Sequence, residues 1–261
     1  MKIGLIGCGN MAKAIIEGVI AADLFKKEDI YASALNTQKL TDYCNAVSIR
    51  TSSNLEISQK CDIIILAVKP QKFDEILPEI SNFVSDKLVI SIAAGKTISF
   101  ISDYLKQTKI IRIMPNLNAA VKCSVSALCA NALCSTKDIA LAKKIFESIG
   151  KVYEIEEENF SAFSAAACCS PAFTFMYIDA LAKGAIACGL DAKTAYSAAT
   201  DAVKGSAVML EKSADTAERL VEKVCSPGGT TIEGVNVLNK NGFEDIIKKA
   251  VNASYEKDKQ L

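Results

Sequence analysis

Up to about residue 150 the chain alternates short apolar runs with longer amphipathic stretches, and few folds accept that rhythm. The runs Lys2–Ile6, Ile30–Ser33, Ile63–Val68, Leu88–Ile92 and Lys109–Met114 read as strands. Between them, stretches such as Met11–Ala22, Thr37–Cys44 and Phe73–Ile80 space their apolar residues for one face of a helix. Strands separated by helical crossovers pair in parallel. The strand runs are apolar almost throughout, as a sheet covered on both faces requires. An α/β fold with an open, doubly wound sheet is therefore predicted. A further helix over Thr136–Ser148 ends at Gly150, and Lys151–Ile155 adds an edge strand.

After Glu156-Glu157-Glu158 the pattern changes. Alanine becomes dense, glycine falls at breaks, and no strand pattern follows. Helices are predicted near Ser161–Ala167, Pro171–Cys188, Ala192–Leu210, Ala217–Val224, Thr230–Lys240 and Phe243–Tyr255. Ser170 before Pro171 reads as a cap and first-turn start, and Gly189 as a stop. Asp215-Thr216-Ala217-Glu218 fits a capping box. The expected organisation is an α/β domain over residues 1–156 and an all-helical domain over residues 157–261. Helices this rich in small residues can pack closely on a second copy, which predicts a homodimer.

Composition narrows the partners. The 261 residues are half apolar and carry 30 basic against 30 acidic side chains, enough apolar material for a sizeable core. Zero net charge argues against nucleic acid or an anionic membrane as partner. No unbroken apolar run approaches the ~18 residues of a membrane span. Met1-Lys2-Ile3-Gly4 enters a strand pattern without a signal-peptide layout, so a cytoplasmic protein is expected. The ten cysteines form no Cys-x-x-Cys pair and the chain has no histidine, so no metal site is expected. The cysteines read instead as small hydrophobes. The missing histidine also excludes Ser-His-Asp and Cys-His catalysis. Chemistry must come from a cofactor, a perturbed Lys, Asp, Glu, Tyr or Cys, or a reactive substrate.

Two glycine-rich stretches locate that chemistry. Gly7-Cys8-Gly9-Asn10-Met11-Ala12 follows the first strand and opens the first helix, matching the dinucleotide fingerprint Gly-x-Gly-x-x-Ala. Gly7 makes the tight turn, Gly9 clears space for the pyrophosphate, and Ala12 allows close helix–strand packing. No carboxylate ends the second strand. With none to repel it, a ribose 2′-phosphate could be held by Ser33, Asn36, Thr37 and Lys39, which favours NADP, with NAD the alternative. Three strand-end loops should face the cofactor: Ala67-Val68-Lys69-Pro70, Ala93-Ala94-Gly95 and Met114-Pro115-Asn116. The second stretch is Ser226-Pro227-Gly228-Gly229-Thr230-Thr231. Its glycines allow close backbone approach, and the helix start after them offers free N–H groups to a small carboxylate or phosphate.

Together these motifs resemble the pyrroline-5-carboxylate reductase family over essentially the whole chain. The resemblance runs from Ile6-Gly7-Cys8-Gly9-Asn10-Met11-Ala12 through Ala67-Val68-Lys69-Pro70-Gln71, Ala93-Ala94-Gly95, Arg112-x-Met114-Pro115-Asn116 and Ser170-Pro171-Ala172-Phe173. It ends on Val224 to Thr231, the most specific segment. It implies a Rossmann-like domain, then a helical dimerisation domain, with dimers assembled as a ring of five into a decamer. It implies that Ile6, Gly7, Cys8, Gly9, Asn10, Met11, Ala12, Ser33, Asn36, Asn54, Val68, Lys69, Pro70, Ala93 and Ala94 line an NAD(P) site. It places Gly229, Thr230 and Thr231 on a carboxylate-bearing imine, with Thr231 aiming the ring for hydride transfer and Glu157 and Lys223 as further contacts. The chain departs from the family at Cys168-Cys169, where glycine and serine are usual, and at Ser161 and Ser164. A related imine reductase, a β-hydroxyacid reductase acting through Lys183, and a non-catalytic NADP-binding regulator are the alternatives.

Overall fold

The computed structural model describes residues 1–260 and divides them into two compact units. The first comprises Met1–Cys168 and the C-terminal residues from Ser254; the second is Cys169–Ala253.

The first unit is built on one eight-stranded sheet. In chain order its elements are β1 (Ile3–Ile6), α1 (Asn10–Ala21), β2 (Ile30–Ser33), α2 (Thr37–Val47), β3 (Arg50–Thr51), α3 (Asn54–Lys60), β4 (Ile63–Leu66), α4 (Phe73–Ile80), β5 (Leu88–Ser91), α5 (Ile98–Tyr104), β6 (Lys109–Met114), β7 (Ser124–Ala130), α6 (Thr136–Glu147), β8 (Gly150–Glu154) and the short α7 (Phe160–Phe163). The strand order is β3-β2-β1-β4-β5-β6-β7-β8. It reverses between β1 and β4, which opens a crevice at their carboxyl ends.

Alternation along each strand explains the two-sided core. Ile63 and Ile65 of β4 face a cluster with Ile15, Ile16 and Val19 of α1. Their neighbours Ile64 and Leu66 face the opposite cluster, with Ile57 of α3 and Phe73, Leu77 and Ile80 of α4. Each such side chain, fully buried, contributes about 1.5–3 kcal/mol.

Two parts of the sheet differ from expectation. β7 runs antiparallel to β6, with Met114 opposite Ala127, and then pairs in parallel with β8. Its sequence hides it because Ser124 and Ser126 are buried polar residues, so the apolar signature of a covered strand is broken. The Ser124 hydroxyl accepts a hydrogen bond from the Asn116 N–H, which offsets its burial. β3 is a two-residue exposed edge, and α3 and α5 are seven-residue helices with too few turns to show a period.

The second unit contains α8 (Ser170–Ala187), α9 (Ala192–Lys212), α10 (Ala217–Val224), α11 (Thr230–Lys240) and most of α12 (Phe243–Asp258). The predicted Ser170 cap does not form. Ser164–Cys168 winds as a π-helical turn, so the chain enters α8 already helical at Cys169, whose φ and ψ are −85° and −29°. The predicted capping box at Asp215 is also absent. Thr216 is the cap, its hydroxyl accepting from the Arg219 N–H, and an arginine at that third helical position has no carboxylate to return the bond. A reciprocal box occurs elsewhere, between Ser135 and Asp138 of α6. Gly189 ends α8 as expected, with φ at +102°.

α8 and α9 meet through a small core of Ala182, Ala195 and Ala199. Among the described residues, none in α10, α11 or α12 is buried. Large apolar side chains stay on the surface instead, including Phe175, Met176, Met209, Val237 and Ile246. The helical stretch Glu157–Ala187 is long and apolar enough, by length and composition alone, to cross a bilayer. That corrects the reading that no segment approaches this size. Its apolar residues are interleaved with Ser161, Ser164, Ser170, Thr174, Asp179 and Lys183, so the sequence presents no unbroken run.

Candidate active site

The β1–α1 connection forms the floor of a cleft of about 1080 Å³. Gly7 sits there at φ +95°, and a Cβ on it would lie 2.7 Å from the Ala67 carbonyl oxygen. Only glycine fits that turn. A Cβ on Gly9 would meet no protein atom within 4 Å. The reason for a glycine at Gly9 thus lies in the cleft rather than in the fold, as expected where a pyrophosphate approaches the backbone. A dinucleotide therefore fits the residues present. Gly9 is also the N-cap of α1 and supplies no capping side chain. The first-turn N–H groups, with their partial positive charge, suit a phosphate.

Of the expected cofactor residues, Gly7, Cys8, Gly9, Ser33, Asn54, Val68 and Lys69 line this cleft. Asn10, Met11 and Ala12 line an adjoining pocket of about 300 Å³, with Gly9, Val68, Lys69 and Pro115. Ile6, Asn36, Pro70, Ala93 and Ala94 line neither. Ile6 is fully buried in the sheet. Asn36 caps α2, its Oδ1 accepting from the Lys39 N–H at 2.9 Å. Thr37, one of the residues expected near a ribose phosphate, does line the cleft.

The cleft holds three charged side chains that the sequence reading passed over: Lys72, Glu75 and Glu79. Lys72 and Glu75 pair at 2.8 Å. Glu79 accepts from Asn54 Nδ2 at 3.0 Å, and Asn54 Oδ1 accepts from the Ser33 hydroxyl at 2.6 Å. Nothing local in the sequence signals the tertiary bond between Glu79 and Asn54.

In the second unit the Ser226–Gly229 segment forms a type II turn. The Gly229 N–H donates to the Ser226 carbonyl at 3.0 Å, Pro227 takes the second position, and Gly228 the third at φ +72°. Gly229 is the N-cap of α11 and brings no capping side chain. The helix therefore opens with N–H groups aimed outward beside the exposed Thr230 and Thr231.

The remaining expected contacts are held by their neighbours. Glu157 Oε1 accepts from the Ile98 N–H at 2.8 Å and pairs with Arg112 at 3.0 Å. Arg112 is 5% exposed, its guanidinium lies 4.6 Å from the Phe160 ring centroid, and its Nε has no partner among the described residues. Lys223 pairs with Asp215. Lys183 pairs with Asp179 at 2.7 Å on the exposed face of α8. Asn116, expected at the cofactor, instead ties segments together. Its Nδ2 donates to the Ala167 carbonyl in the π-helical turn at 2.9 Å, and its Oδ1 accepts from the N–H groups of Asn118 and Val125. Beside it Cys168 packs against the Met114 and Pro115 carbonyls.

The sequence and fold match known proteins along their whole length. A family model for pyrroline-5-carboxylate reductase dimerisation covers residues 157–261, and one for coenzyme F420-dependent NADP oxidoreductase covers residues 2–95. The pyrroline-5-carboxylate reductase of Escherichia coli (strain K12) is 37% identical, covering 100% of this chain and 98% of its own. The chain belongs to the pyrroline-5-carboxylate reductase family. A reductase of Methanosarcina acetivorans is 36% identical, covering 100% of this chain and 97% of that one. The solved pyrroline carboxylate reductase of Plasmodium falciparum, with NADP bound, superposes with a TM-score of 0.91 at 31% identity, over 100% of this chain and 97% of that one. This reductase-family chain is thus an oxidoreductase with a Rossmann-like sheet and a region matched to the family's dimerisation domain. Prephenate dehydrogenase from Aquifex aeolicus, at 18% identity and a TM-score of 0.55, shares the fold.

Proposed function

We propose that the chain reduces 1-pyrroline-5-carboxylate to proline, using NADP(H), with NAD(H) as the alternative. One observation carries the substrate side: a helix that opens on a glycine cap, behind a glycine turn, with two exposed threonines in its first turn. Such a start suits a small anion, and the threonine hydroxyls beside it can reach a ring that carries the anion.

The labour divides at residue 157. Residues 1–156 hold the cofactor through Gly7 to Ala12, Ser33, Asn54, Val68 and Lys69, with Ile6, Asn36, Pro70, Ala93 and Ala94 shaping the loops around it. When bound, the reduced nicotinamide supplies hydride to the imine carbon. Residues 157–261 seat the substrate and the partner subunit. The first-turn N–H groups of α11, at Gly229, Thr230 and Thr231, take the carboxylate. The Thr231 hydroxyl holds the ring nitrogen and so orients the carbon that is reduced. An imine nitrogen is protonated from solvent, which suits a chain with no histidine. Glu157 and Lys223 border the substrate, each kept in place by its ion pair. Lys183 pairs with Asp179 on an exposed face and lines neither of the two pockets described above, which favours the imine reading over the hydroxyacid one.

We read the apolar surface of α8 to α12 as the seam of a homodimer, with five dimers forming a decamer, and the protein as cytoplasmic. Support comes from the dimerisation model, which covers these residues and all of the apolar stretch Glu157–Ala187.

The test is the oxidation of NADPH by purified protein with racemic pyrroline-5-carboxylate. Turnover above background, with proline as product, is expected. Cofactor binding without turnover would overturn this substrate and leave the alternatives: a reductase of another imine or hydroxyacid, or a regulator.

A further inference from the structure

At the ribose end of the cleft, three side chains form a chain whose protons have only one possible order. Glu79 is a carboxylate and can only accept, so the Asn54 atom 3.0 Å from its Oε2 must be the amide nitrogen. That fixes the Asn54 amide and turns its oxygen toward Ser33. An amide oxygen can only accept, so the Ser33 hydroxyl, 2.6 Å away, must spend its single proton on Asn54. Ser33 then shows the cleft nothing but lone pairs. All three residues line the cleft, and Ser33 is the last residue of β2, where dinucleotide folds hold the adenosine ribose.

The two forms of the cofactor differ at this point. A ribose 2′-hydroxyl carries a proton and can donate to Ser33. A 2′-phosphate at neutral pH presents mainly acceptors, and so does Ser33 as it is wired. The neighbouring Asn36 caps α2 through its oxygen and lines neither pocket. Glu79, also on the cleft wall, adds a like charge facing the phosphate.

We propose that Glu79 is a specificity-determining residue. By ordering the protons of Asn54 and Ser33 it lowers the preference of the site for the phosphorylated ribose and keeps the unphosphorylated cofactor competitive. Glu79 is a positioning residue here, since it acts through Ser33. The inference rests on the reading of the cleft as a dinucleotide site. With a neutral amide at position 79, the Asn54 amide can invert, and the Ser33 hydroxyl is released to donate to phosphate. A hydrogen bond to a charged group is worth about tenfold or more in affinity.

The experiment measures dissociation constants of NADP⁺ and NAD⁺ by fluorescence titration, without substrate, for wild type, Glu79→Gln, Ser33→Ala and the double variant. Glu79 is an exposed residue on α4, so its substitution should leave the fold intact, and far-ultraviolet circular dichroism checks this. Glu79→Gln should raise selectivity for NADP⁺ over NAD⁺ about tenfold. Ser33→Ala alone should weaken NAD⁺ more than NADP⁺. In the double variant the effect of Glu79→Gln should fall to the smaller part that loss of the like charge alone supplies. An unchanged ratio in Glu79→Gln overturns the proposal. The same shift with and without Ser33 also overturns it, because simple charge repulsion would then suffice. If wild type binds neither nucleotide, the cofactor reading falls and this inference with it.

Discussion

Thr231 is exposed in the first turn of α11, and among the described residues no fold-level bond explains a threonine there. Its proposed work is to hold the ring nitrogen while the helix start holds the carboxylate. A misaligned reacting pair loses about two orders of magnitude in rate, so Thr231→Ala should lower kcat/KM about 100-fold. Thr231→Ser should recover most of it, because the hydroxyl returns. Steady-state kinetics with NADPH decides this. Full kcat/KM in Thr231→Ala would remove the role and leave the family assignment in place. At this scale the sequence was legible wherever chemistry forces one residue type. Gly7 and Gly228 stand out in the sequence and sit at positive φ in the structure. Glu79 was illegible because its bond to Asn54 joins residues 25 apart in the chain, with no local pattern.

At the scale of elements, the π-helical turn Ser164–Cys168 is the least ordinary piece of backbone. A π turn frees carbonyls from the regular helical ladder, and buried carbonyls need partners. Asn116, 4% exposed, supplies one to Ala167 while it accepts two N–H groups from its own loop and β7. Asn116→Ala leaves these groups unsatisfied and should cost on the order of 3 kcal/mol. Urea denaturation should show it as a lower midpoint with an unchanged slope, and a loss below about 0.5 kcal/mol would contradict the bracing role. The sequence predicted a plain helix and a Ser170 cap here. Both miss for one reason. Local propensity sees Ser-Pro as a helix start, but the tertiary bond from Asn116 stabilises a continuous helical path through it. The same limit hid β7, whose buried serines are satisfied by Asn116 and by each other, not by an apolar pattern. By contrast β1, β2, β4, β5 and β6 were plain, because a covered parallel sheet demands runs that are apolar almost throughout, and each of these carries at most one buried polar residue.

For the molecule as a whole, the two units differ in what holds them. The first has a core on each face of its sheet. The second has a small alanine core and a wide apolar surface that a lone chain leaves in water. Such a unit is stabilised by a partner, so stability and assembly should be coupled. Met176, 71% exposed on α8, tests this. Met176→Asp should shift the protein to smaller species by light scattering and lower Tm, and more so on dilution. An unchanged mass and Tm would place the interface elsewhere. A second prediction concerns alkali. Burial pushes the Cys61 and Cys129 thiols up to about 12 from an ordinary 9.0. Below pH 9 the thiols are protonated whether the chain is folded or not. Above it the unfolded chain loses these protons first, so stability falls between pH 9 and about 12. Replacing both residues by alanine should flatten that part of the Tm–pH profile. An equal slope in the variant would assign the fall to other groups.

The central claim is hydride transfer to the imine carbon of pyrroline-5-carboxylate. The most direct measurement uses NADPH deuterated at the transferable position and reads the product by nuclear magnetic resonance. Proline carrying one deuterium at C5, in amounts matching the NADPH oxidised, is the predicted result. Oxidised cofactor without labelled proline, or bound cofactor that is never oxidised, would contradict the account.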